Sequence, residues 1–162
     1  MNIEKIFSIG VFGTNENEFF EKLITNKVEL FVDIRRRRAV RGAKYSYVNS
    51  SKLQAKLKEL GIQYMHVLKL APTNEIRKLQ KEDDIIKGVK KTERQYLGEV
   101  FINEYQHKVL NTFDFVGFIK KIDERKVKNF LLFCVEKSFE ACHRSIVAKR
   151  LMQDFSLPIQ HL

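Results

Sequence analysis

Short runs of apolar residues alternate along the chain with longer segments in which apolar positions recur at helical spacing. The short runs predict five strands, over residues 5–9, 29–34, 62–68, 128–136 and 157–160. Because the longer of these runs are nearly continuous in apolar residues, they are typical of strands buried on both faces, as in a parallel sheet covered by helices.

The segments between the predicted strands carry helix signals. Asn15 with Glu18 has the spacing of a capping box. Residues 49–51 offer several N-caps, with Ser51 and Gln54 at capping-box spacing, and a further helix is predicted over residues 112–124. Helical connections between strands favour right-handed crossovers and therefore a parallel sheet. The predicted fold class is α/β, with a mostly parallel sheet of about five strands flanked by helices.

The segment around residues 72–110 differs from the rest because it is polar and highly charged. Its apolar residues recur at roughly helical spacing, and Thr92 with Gln95 provides a helix-start signal. We interpret this segment as two helices that elaborate the side of the sheet.

Length and composition limit the organisation of the chain. With 162 residues, 44% of them hydrophobic, and no dividing Pro/Gly/Ser-rich stretch, we expect a single domain over residues 1–162. The apolar run at residues 6–12 is too short for a membrane span and has no cleavage site after it, so we expect a cytoplasmic protein. The two cysteines are then expected to be reduced thiols.

Basic residues are concentrated in one window. The net charge is +10, and residues 34–58 contain nine basic residues and no acidic residue. A local patch of this kind predicts an anionic partner, with nucleic acid or a nucleotide as the candidates. The alternative is a solvated loop beside a surface helix, because runs of like charge are often only that.

Polar residues follow the second and fourth predicted strands directly. Asp33 and Arg35 come at the end of the second strand, while Glu136 and a Cys-His-Arg triplet at 142–144 follow the fourth. Open α/β folds bind ligands outside the carboxyl ends of their strands, so a site is predicted here. Arg35 and Arg144 are the strongest candidates for ligand contact, because a guanidinium binds a phosphate or carboxylate in bidentate fashion. Asp33 either orients an arginine or caps the loop, and Glu136 acts as an acid or base or pairs with an arginine.

Cys142 stands at the predicted start of the last helix, where free backbone N–H groups and Arg144 favour a thiolate. It is a candidate nucleophile, and the alternative is a small buried thiol beside an anion site. His143 is a poor candidate for its base, because neighbouring residues on a helix point about 100° apart. A metal site would draw on Cys134, Cys142, His143 and His66, but their spacing matches no common zinc pattern, so neither a metal nor another cofactor is predicted.

Four stretches of the sequence resemble one family. They are residues 32–35 (Val-Asp-Ile-Arg), 61–66 (Gly-Ile-Gln-Tyr-Met-His), 134–136 (Cys-Val-Glu) and 142–144 (Cys-His-Arg). Together they resemble the uncharacterised family catalogued as domain of unknown function 488, over nearly the whole chain. The resemblance implies a small α/β domain with the Asp-Arg and Cys-His-Arg elements brought together, and no established activity. At positions 11–12, where many relatives have His and Ser, this chain has Val and Phe.

Two classes of function remain open. The first is a binding domain for a phosphate-bearing ligand, and it is placed first because it requires only charge and a crevice. The second is a small cytosolic enzyme that uses Cys142 with Glu136 and the arginines on such a ligand, and Asp33 is a further candidate catalytic residue. The predicted ligand contacts are Arg35, Arg36, Arg37, Arg38, Arg41, His143 and Arg144.

Overall fold

The computed structural model describes all 162 residues and contains one five-stranded sheet. The strands are β1 (Lys5–Ile9), β2 (Leu30–Asp33), β3 (Gln63–His66), β4 (Asn129–Phe133) and β5 (Ile159–His161). All run parallel, in the order β3-β2-β4-β1-β5. The predicted fold class and the five predicted strands are confirmed, although the bounds of every strand except β1 differ by a few residues.

Six α-helices connect the strands. They are α1 (Glu16–Thr25), α2 (Ser50–Glu59), α3 (Asn74–Lys87), α4 (Glu99–Lys108), α5 (Phe115–Asp123) and α6 (His143–Phe155). Helices α3 and α4 form the predicted helical elaboration between β3 and β4. None of the six helices combines the length and the apolar character needed to cross a membrane.

The helix starts test the capping signals individually. Asn15 caps α1 in a full capping box with Glu18, as predicted. Helix α2 has Asn49 as its N-cap residue instead of Ser51. The predicted start at Thr92 is wrong, because residues 91–93 form a turn and α4 begins seven residues later at Glu99.

The connections distribute the helices over the two faces of the sheet. From β1 to β3 the chain moves in one direction across the sheet, and from β3 to β5 it returns, so right-handed crossovers place α1 and α2 on one face and α5 and α6 on the other. Ring contacts agree with this arrangement. Phe19 of α1 lies 5.6 Å from Phe133, whereas Phe118 of α5 lies 6.3 Å from Phe130, whose side chain points to the opposite face.

The central strands end level with one another. Phe133, the last residue of β4, is in register with Asp33 of β2 and with Ile9 of β1. The segments that follow these three strands therefore leave the sheet at one edge. After β1 the chain passes to one face and after β4 to the other, so this edge is the switch point at which open α/β folds place their sites.

Candidate functional site

A buried ion pair lies just beyond β2. Nε and Nη2 of Arg35 donate to the two carboxylate oxygens of Asp33 at 2.9 and 2.8 Å, a bidentate arrangement. The backbone N–H of Arg35 also donates to Oδ1, so Asp33 both orients the arginine and closes the turn, the two roles that the sequence left open. Nη2 donates as well to the carbonyl of Val48, and the guanidinium lies over the ring of Phe133. The remaining nitrogen, Nη1, is buried without a hydrogen-bond partner.

Tyr64 of β3 completes the surroundings of the ion pair. Its hydroxyl donates to Oδ2 of Asp33 at 2.9 Å. Burial, reinforced by the charge of Asp33, raises the pKa of Tyr64 to about 12, because ionising the phenol would place a second negative charge beside the carboxylate.

A second group of buried polar side chains lies beyond β4, and we refer to it as the thiol cluster. The thiol cluster consists of Cys134, Glu136, Cys142 and His143. The Sγ atom of Cys134 lies 3.3 Å from Oε2 of Glu136, and Sγ of Cys142 lies 3.9 Å from Nδ1 of His143. The two sulfurs and the imidazole donor lie within 4.8 Å of one another, and all four residues are at most 7% exposed.

The contact between Cys142 and His143 departs from the helical geometry assumed for the sequence. Cys142 is the N-cap residue of α6 and has extended backbone angles (φ −137°, ψ 142°), so the rotation of 100° between helical neighbours does not apply to this pair. The imidazole Nε2 donates to the carbonyl oxygen of Ile34 at 3.0 Å. Since a carbonyl can only accept, Nε2 carries the proton and Nδ1 faces the sulfur.

The acid–base balance of the thiol cluster is strongly shifted. Burial alone would raise the pKa of Cys142, but the hydrogen bond from Cys134 and the charges of Arg144 and His143 outweigh burial and lower it well below the ordinary value. The pKa of Cys134 is raised, first by its hydrogen bond to Cys142 and then by burial. Burial also raises the pKa of Glu136, with the charge of Cys142 adding to it. Burial alone would lower the pKa of His143, but the charge of Cys142 and the hydrogen bond to it outweigh burial and raise it. The shifts therefore favour negative charge on Cys142 and disfavour it on Cys134 and Glu136.

Arg94 covers the thiol cluster from the α3–α4 connection. It donates to Asp84 at 2.7 Å, to Oε1 of Glu136 at 3.3 Å and to the carbonyl of Ala141, and its side chain is 9% exposed. Sequence reasoning missed Arg94 and Asp84, because neither follows a strand and nothing local marks them. The only indication was the density of charge in the 72–110 segment. These contacts also explain why no helix starts at Thr92, because they hold the segment around Arg94 against the thiol cluster.

Gly10 and Arg144 fill the crevice between β1 and β4. A Cβ atom at position 10 would overlap the carbonyl oxygen of Glu136, so only glycine lets the two loops approach this closely. Arg144 is 1% exposed and donates to the carbonyls of Glu136 and Lys137 and to Oγ of Ser8. It forms no ion pair with a carboxylate. The switch-point crevice is therefore occupied by the protein itself.

The Asp-Arg and Cys-His-Arg elements meet at one edge but remain separate groups. The ion pair belongs to the face covered by α1 and α2, and the thiol cluster belongs to the face covered by α6. The link between them is the hydrogen bond from His143 to the carbonyl of Ile34, the residue between Asp33 and Arg35. Arg35 and Arg144 share no hydrogen-bond partner.

The other predicted ligand contacts lie in the connection between β2 and α2. We refer to residues 36–49 as the basic loop. Arg37, Arg41 and Lys44 are exposed and Arg38 is half-buried, and none of them takes part in an ion pair. Arg36 donates through Nε to the carbonyl of Pro72, so its side chain is partly committed to the protein.

The basic loop is held in place by the rest of the fold. The side chain of Asn49 accepts from the backbone N–H of Val40 at 2.8 Å, which explains why Asn49 does not cap α2 with its side chain. The hydroxyl of Tyr45 accepts from the backbone N–H of Gly13 at 2.8 Å, and its ring packs on Phe12. The exposed cations are thus presented on an ordered framework.

The fold and the edge define a class: a small parallel α/β domain with a buried ion pair, a thiol cluster and a basic loop around one switch point. The sequence matches the family described as "Domain of unknown function DUF488" over residues 16–151, which is well over half of the chain. The chain belongs to this family, as its motifs indicated. Comparison with curated proteins and with solved structures finds no match.

Proposed function

We propose that the domain binds a phosphate-bearing ligand through its basic loop, and that the ligand is the backbone of a nucleic acid. The observation that supports this proposal is the set of unpaired cations at Arg37, Arg38, Arg41 and Lys44. Binding a phosphate chain to such a surface releases condensed counterions, which is the main source of affinity in non-specific nucleic-acid binding.

Cations elsewhere on the surface provide the contrast. Lys87, Lys108 and Arg150 each lie within ion-pair distance of a carboxylate on the adjacent turn of their own helix. Their charge is compensated locally, whereas no carboxylate compensates the charge of the basic loop. Other exposed cations, such as Lys81 and Lys121, are also unpaired. What favours an external anion over general solubility is therefore the concentration of nine basic residues and no acidic residue in residues 34–58.

The position of the cations favours a nucleic acid over a free nucleotide. Nucleotide sites are concave, but the crevice beside the basic loop is filled by the packing of Gly10 against Glu136. A surface groove of about 440 Å³ lies between α4, α6 and β5, and no residue of the basic loop lines it. A row of exposed cations on a loop fits an extended phosphate backbone.

The buried members of the predicted ligand-binding set have a different role in this proposal. Arg35, His143 and Arg144 are each at most 5% exposed, and direct ligand contact by them stays a prediction. Arg35 supports the basic loop instead, because its Nη2 holds the carbonyl of Val48 near the end of that loop. The ion pair thereby positions the exposed cations.

The test is a salt titration of binding to labelled duplex DNA, single-stranded DNA and RNA. The triple variant Arg37→Ala/Arg38→Ala/Arg41→Ala should bind more weakly, and on duplex DNA the slope of log K against log salt should flatten by about 0.9 for each phosphate that the variant no longer neutralises. The matched control is Lys87→Ala/Lys108→Ala/Arg150→Ala, which removes the same charge from paired positions and should leave the slope nearly unchanged.

Three outcomes would contradict the proposal. The first is the absence of binding to all three nucleic acids at low salt. The second is an equal decrease in affinity in the two triple variants, which would show that only net charge matters. The third is competition by a free nucleotide that does not depend on the basic loop. Such competition would place the ligand in a crevice and overturn the nucleic-acid assignment.

The enzyme that uses Cys142 is the second candidate. It is favoured by the 3.9 Å approach of Nδ1 of His143 to the sulfur, a separation within reach of a nucleophile and its base. The burial of the sulfur argues against an enzyme of this kind. Cys142 is 1% exposed, and Arg94 covers the cluster by bonding to Glu136 and to the carbonyl of Ala141. Rapid alkylation of Cys142 in the native protein would promote this candidate, and protection of the thiol would remove it.

A further inference from the structure

We propose that the thiol cluster is a structural zinc site, with Cys134, Cys142, His143 and Glu136 as its four ligands. The ligand atoms are Sγ of both cysteines, Nδ1 of the histidine and Oε2 of the glutamate. The site is independent of the basic loop, and it would stabilise the carboxyl edge whether or not a nucleic acid binds there.

The distances between three of the donor atoms suit one tetrahedral ion. Bond lengths of about 2.3 Å to sulfur and 2.0–2.1 Å to nitrogen or oxygen place tetrahedral ligand atoms about 3.3–3.8 Å from one another. The two sulfurs and Nδ1 of His143 lie within 4.8 Å of one another, with 3.9 Å from Cys142 Sγ to Nδ1. Oε2 of Glu136 lies outside that group but 3.3 Å from Cys134 Sγ, so a rotation of its side chain would bring it to the ion.

The histidine is already arranged as a metal ligand. Zinc-binding imidazoles donate the N–H of the non-coordinating nitrogen to a carbonyl or carboxylate, which sets the tautomer and the ring orientation. Nε2 of His143 donates to the carbonyl of Ile34 at 3.0 Å, so Nδ1 is the ring nitrogen that faces the sulfur atoms and could coordinate an ion. The ring also packs edge-on against Tyr105 of α4, which fixes its tilt.

The metal-ligating atoms of the cluster face one another in pairs. Sγ of Cys134 lies 3.3 Å from Oε2 of Glu136, and Sγ of Cys142 lies 3.9 Å from Nδ1 of His143. Oε1 of Glu136 is held by Arg94, so Oε2 is the oxygen left to face the cluster. A dication in the centre would satisfy all four inward-facing atoms at once.

Zinc would offset the negative charge of its ligands. Two thiolates and the carboxylate carry three negative charges, and the ion supplies two positive charges. The buried guanidinium of Arg144, which has no carboxylate partner, lies beside the site, and Arg94 and Lys91 lie 3.3 and 3.8 Å from Oε1 of Glu136. Binding takes up Zn²⁺, forms two Zn–S bonds and releases to solvent any protons that the ligand atoms carried before binding.

The spacing of these ligands along the chain explains why no metal site was predicted from the sequence. Common zinc motifs take paired ligands from one tight knuckle, whereas this site takes Cys134 and Glu136 from the end of β4 and Cys142 and His143 from the cap of α6. Cysteine-rich N/S donor sets select zinc among the abundant divalent ions. Four protein ligands and complete burial leave no open position, so the site is structural rather than catalytic.

The first test uses the unmodified protein. After reduction and removal of metal by a chelator, titration with Zn²⁺ in weak buffer should bind one ion per chain and release protons as the thiols coordinate. Titration with Co²⁺ should produce a thiolate-to-metal absorption band that saturates at the same ratio, and Zn²⁺ should abolish the band. Absence of both signals would overturn the proposal, as would a native mass that lacks two hydrogens, since that would identify a Cys134–Cys142 disulfide.

The second test assigns the ligands. His143→Gln and Cys142→Ser should each lower the Zn²⁺ affinity by more than about tenfold, because the coordination sphere is incomplete. His161→Gln is the matched control, since His161 stacks on Phe139 near α6 but belongs to no part of the cluster, and it should bind zinc normally. Equal affinity in the His143 and His161 variants would overturn the assignment of the site.

Discussion

The ion pair and the thiol cluster stand on opposite faces of the same sheet edge, and they deal with buried charge in different ways. At Asp33 and Arg35 one carboxylate meets one guanidinium in a bidentate pair, and the charges cancel within two residues of the chain. In the thiol cluster two sulfurs, an imidazole nitrogen and a carboxylate oxygen from two separate elements are brought together. The first group pairs its two charges internally and leaves only Nη1 of Arg35 without a partner, whereas the second gathers several metal-ligating atoms.

This difference shows that burial alone does not distinguish a structural group from a binding group. Both groups are almost fully buried and both contain charged residues. The distinguishing property is whether the chain supplies a partner for each charge. By that criterion the ion pair has a structural role. The thiol cluster is a candidate metal centre, and the unpaired cations of the basic loop form a candidate anion-binding surface.

The largest predicted effect comes from removing one charge of the buried ion pair. Asp33→Asn should lower the free energy of unfolding by about 3–5 kcal/mol, because Arg35 would keep a buried charge with no counterion. Urea denaturation followed by circular dichroism measures the change. Asp83→Asn is the control, since the Asp83–Lys87 pair has the same 2.8 Å separation on the surface and should cost at most about 1 kcal/mol.

The same variant also tests whether the ion pair and the thiol cluster are independent of each other. If the two groups are independent, the folded fraction of Asp33→Asn should still bind one Zn²⁺ per chain. A decrease in stability below about 1 kcal/mol, the value expected for an exposed pair, would show that the Asp33–Arg35 charges are solvated in solution.

A smaller effect is expected from a change on the thiol side. Gly10→Ala should destabilise the protein by about 1–3 kcal/mol, because the added methyl group would overlap the carbonyl of Glu136 and push the β4 loop outward. The same displacement should weaken zinc binding. Gly42→Ala serves as a control for backbone strain, since position 42 has a positive φ of 78° but no atom within 4 Å of the new methyl group.

The two glycine variants separate the effect of space from the effect of backbone angle. Gly42→Ala should cost only about 1–2 kcal/mol from its left-handed conformation and leave zinc affinity intact. Reduced zinc affinity in both variants would mean that the measurement reports global stability and not the packing of the β4 loop.

The smallest predicted effect concerns the titration of Tyr64, whose hydroxyl donates to Asp33 of the ion pair. Its phenol should ionise with a pKa of about 12, because burial and the charge of Asp33 disfavour the phenolate. The folded pKa lies above the unfolded value of about 10. The resulting stabilisation is therefore complete below pH 10 and disappears as the pH rises from about 10 to about 12.

Absorbance difference titration of the native protein against Tyr64→Phe isolates this phenol from the other four tyrosines. The Tyr64→Phe variant itself should be less stable by about 0.5–1.5 kcal/mol at neutral pH, the contribution of one hydrogen bond. In Asp33→Asn the pKa of Tyr64 should fall toward its ordinary value, and a pKa that does not move would exclude Asp33 as the source of the shift.

The fold could be predicted from the sequence because its signals are local. The five apolar runs become five strands, and Asn15 with Glu18 forms a true capping box, since both patterns depend on residues close in the chain. The edge was also predictable in outline, because parallel strands direct Asp33 and Glu136 to the same side. The strand order and the register that align them required the tertiary structure.

The site could be predicted only in part, because its details depend on contacts between distant segments. Arg94 lies 42 residues from Glu136, and no local pattern indicates that they meet. The failed helix start at Thr92 has the same cause, since tertiary contacts of Arg94 outweigh a cap signal of about 1 kcal/mol. His143 was judged by helical geometry, although its neighbour Cys142 lies just outside the helix.

The position of β4 in the sheet has a consequence for how the chain reaches its native state. Strands β1 and β2 are adjacent in sequence but do not pair with each other, because β4 lies between them and bonds to both. The strand that contains Leu30 gains its second neighbour only when Phe130 is in place. During synthesis, β1 therefore leaves the ribosome with no partner strand, and its unpaired edges stay open to other chains until residues 129–133 have been made. Long-range closure of this kind slows folding. A nascent chain that stops before β4 should depend on chaperones, whereas one that extends past it can form the sheet.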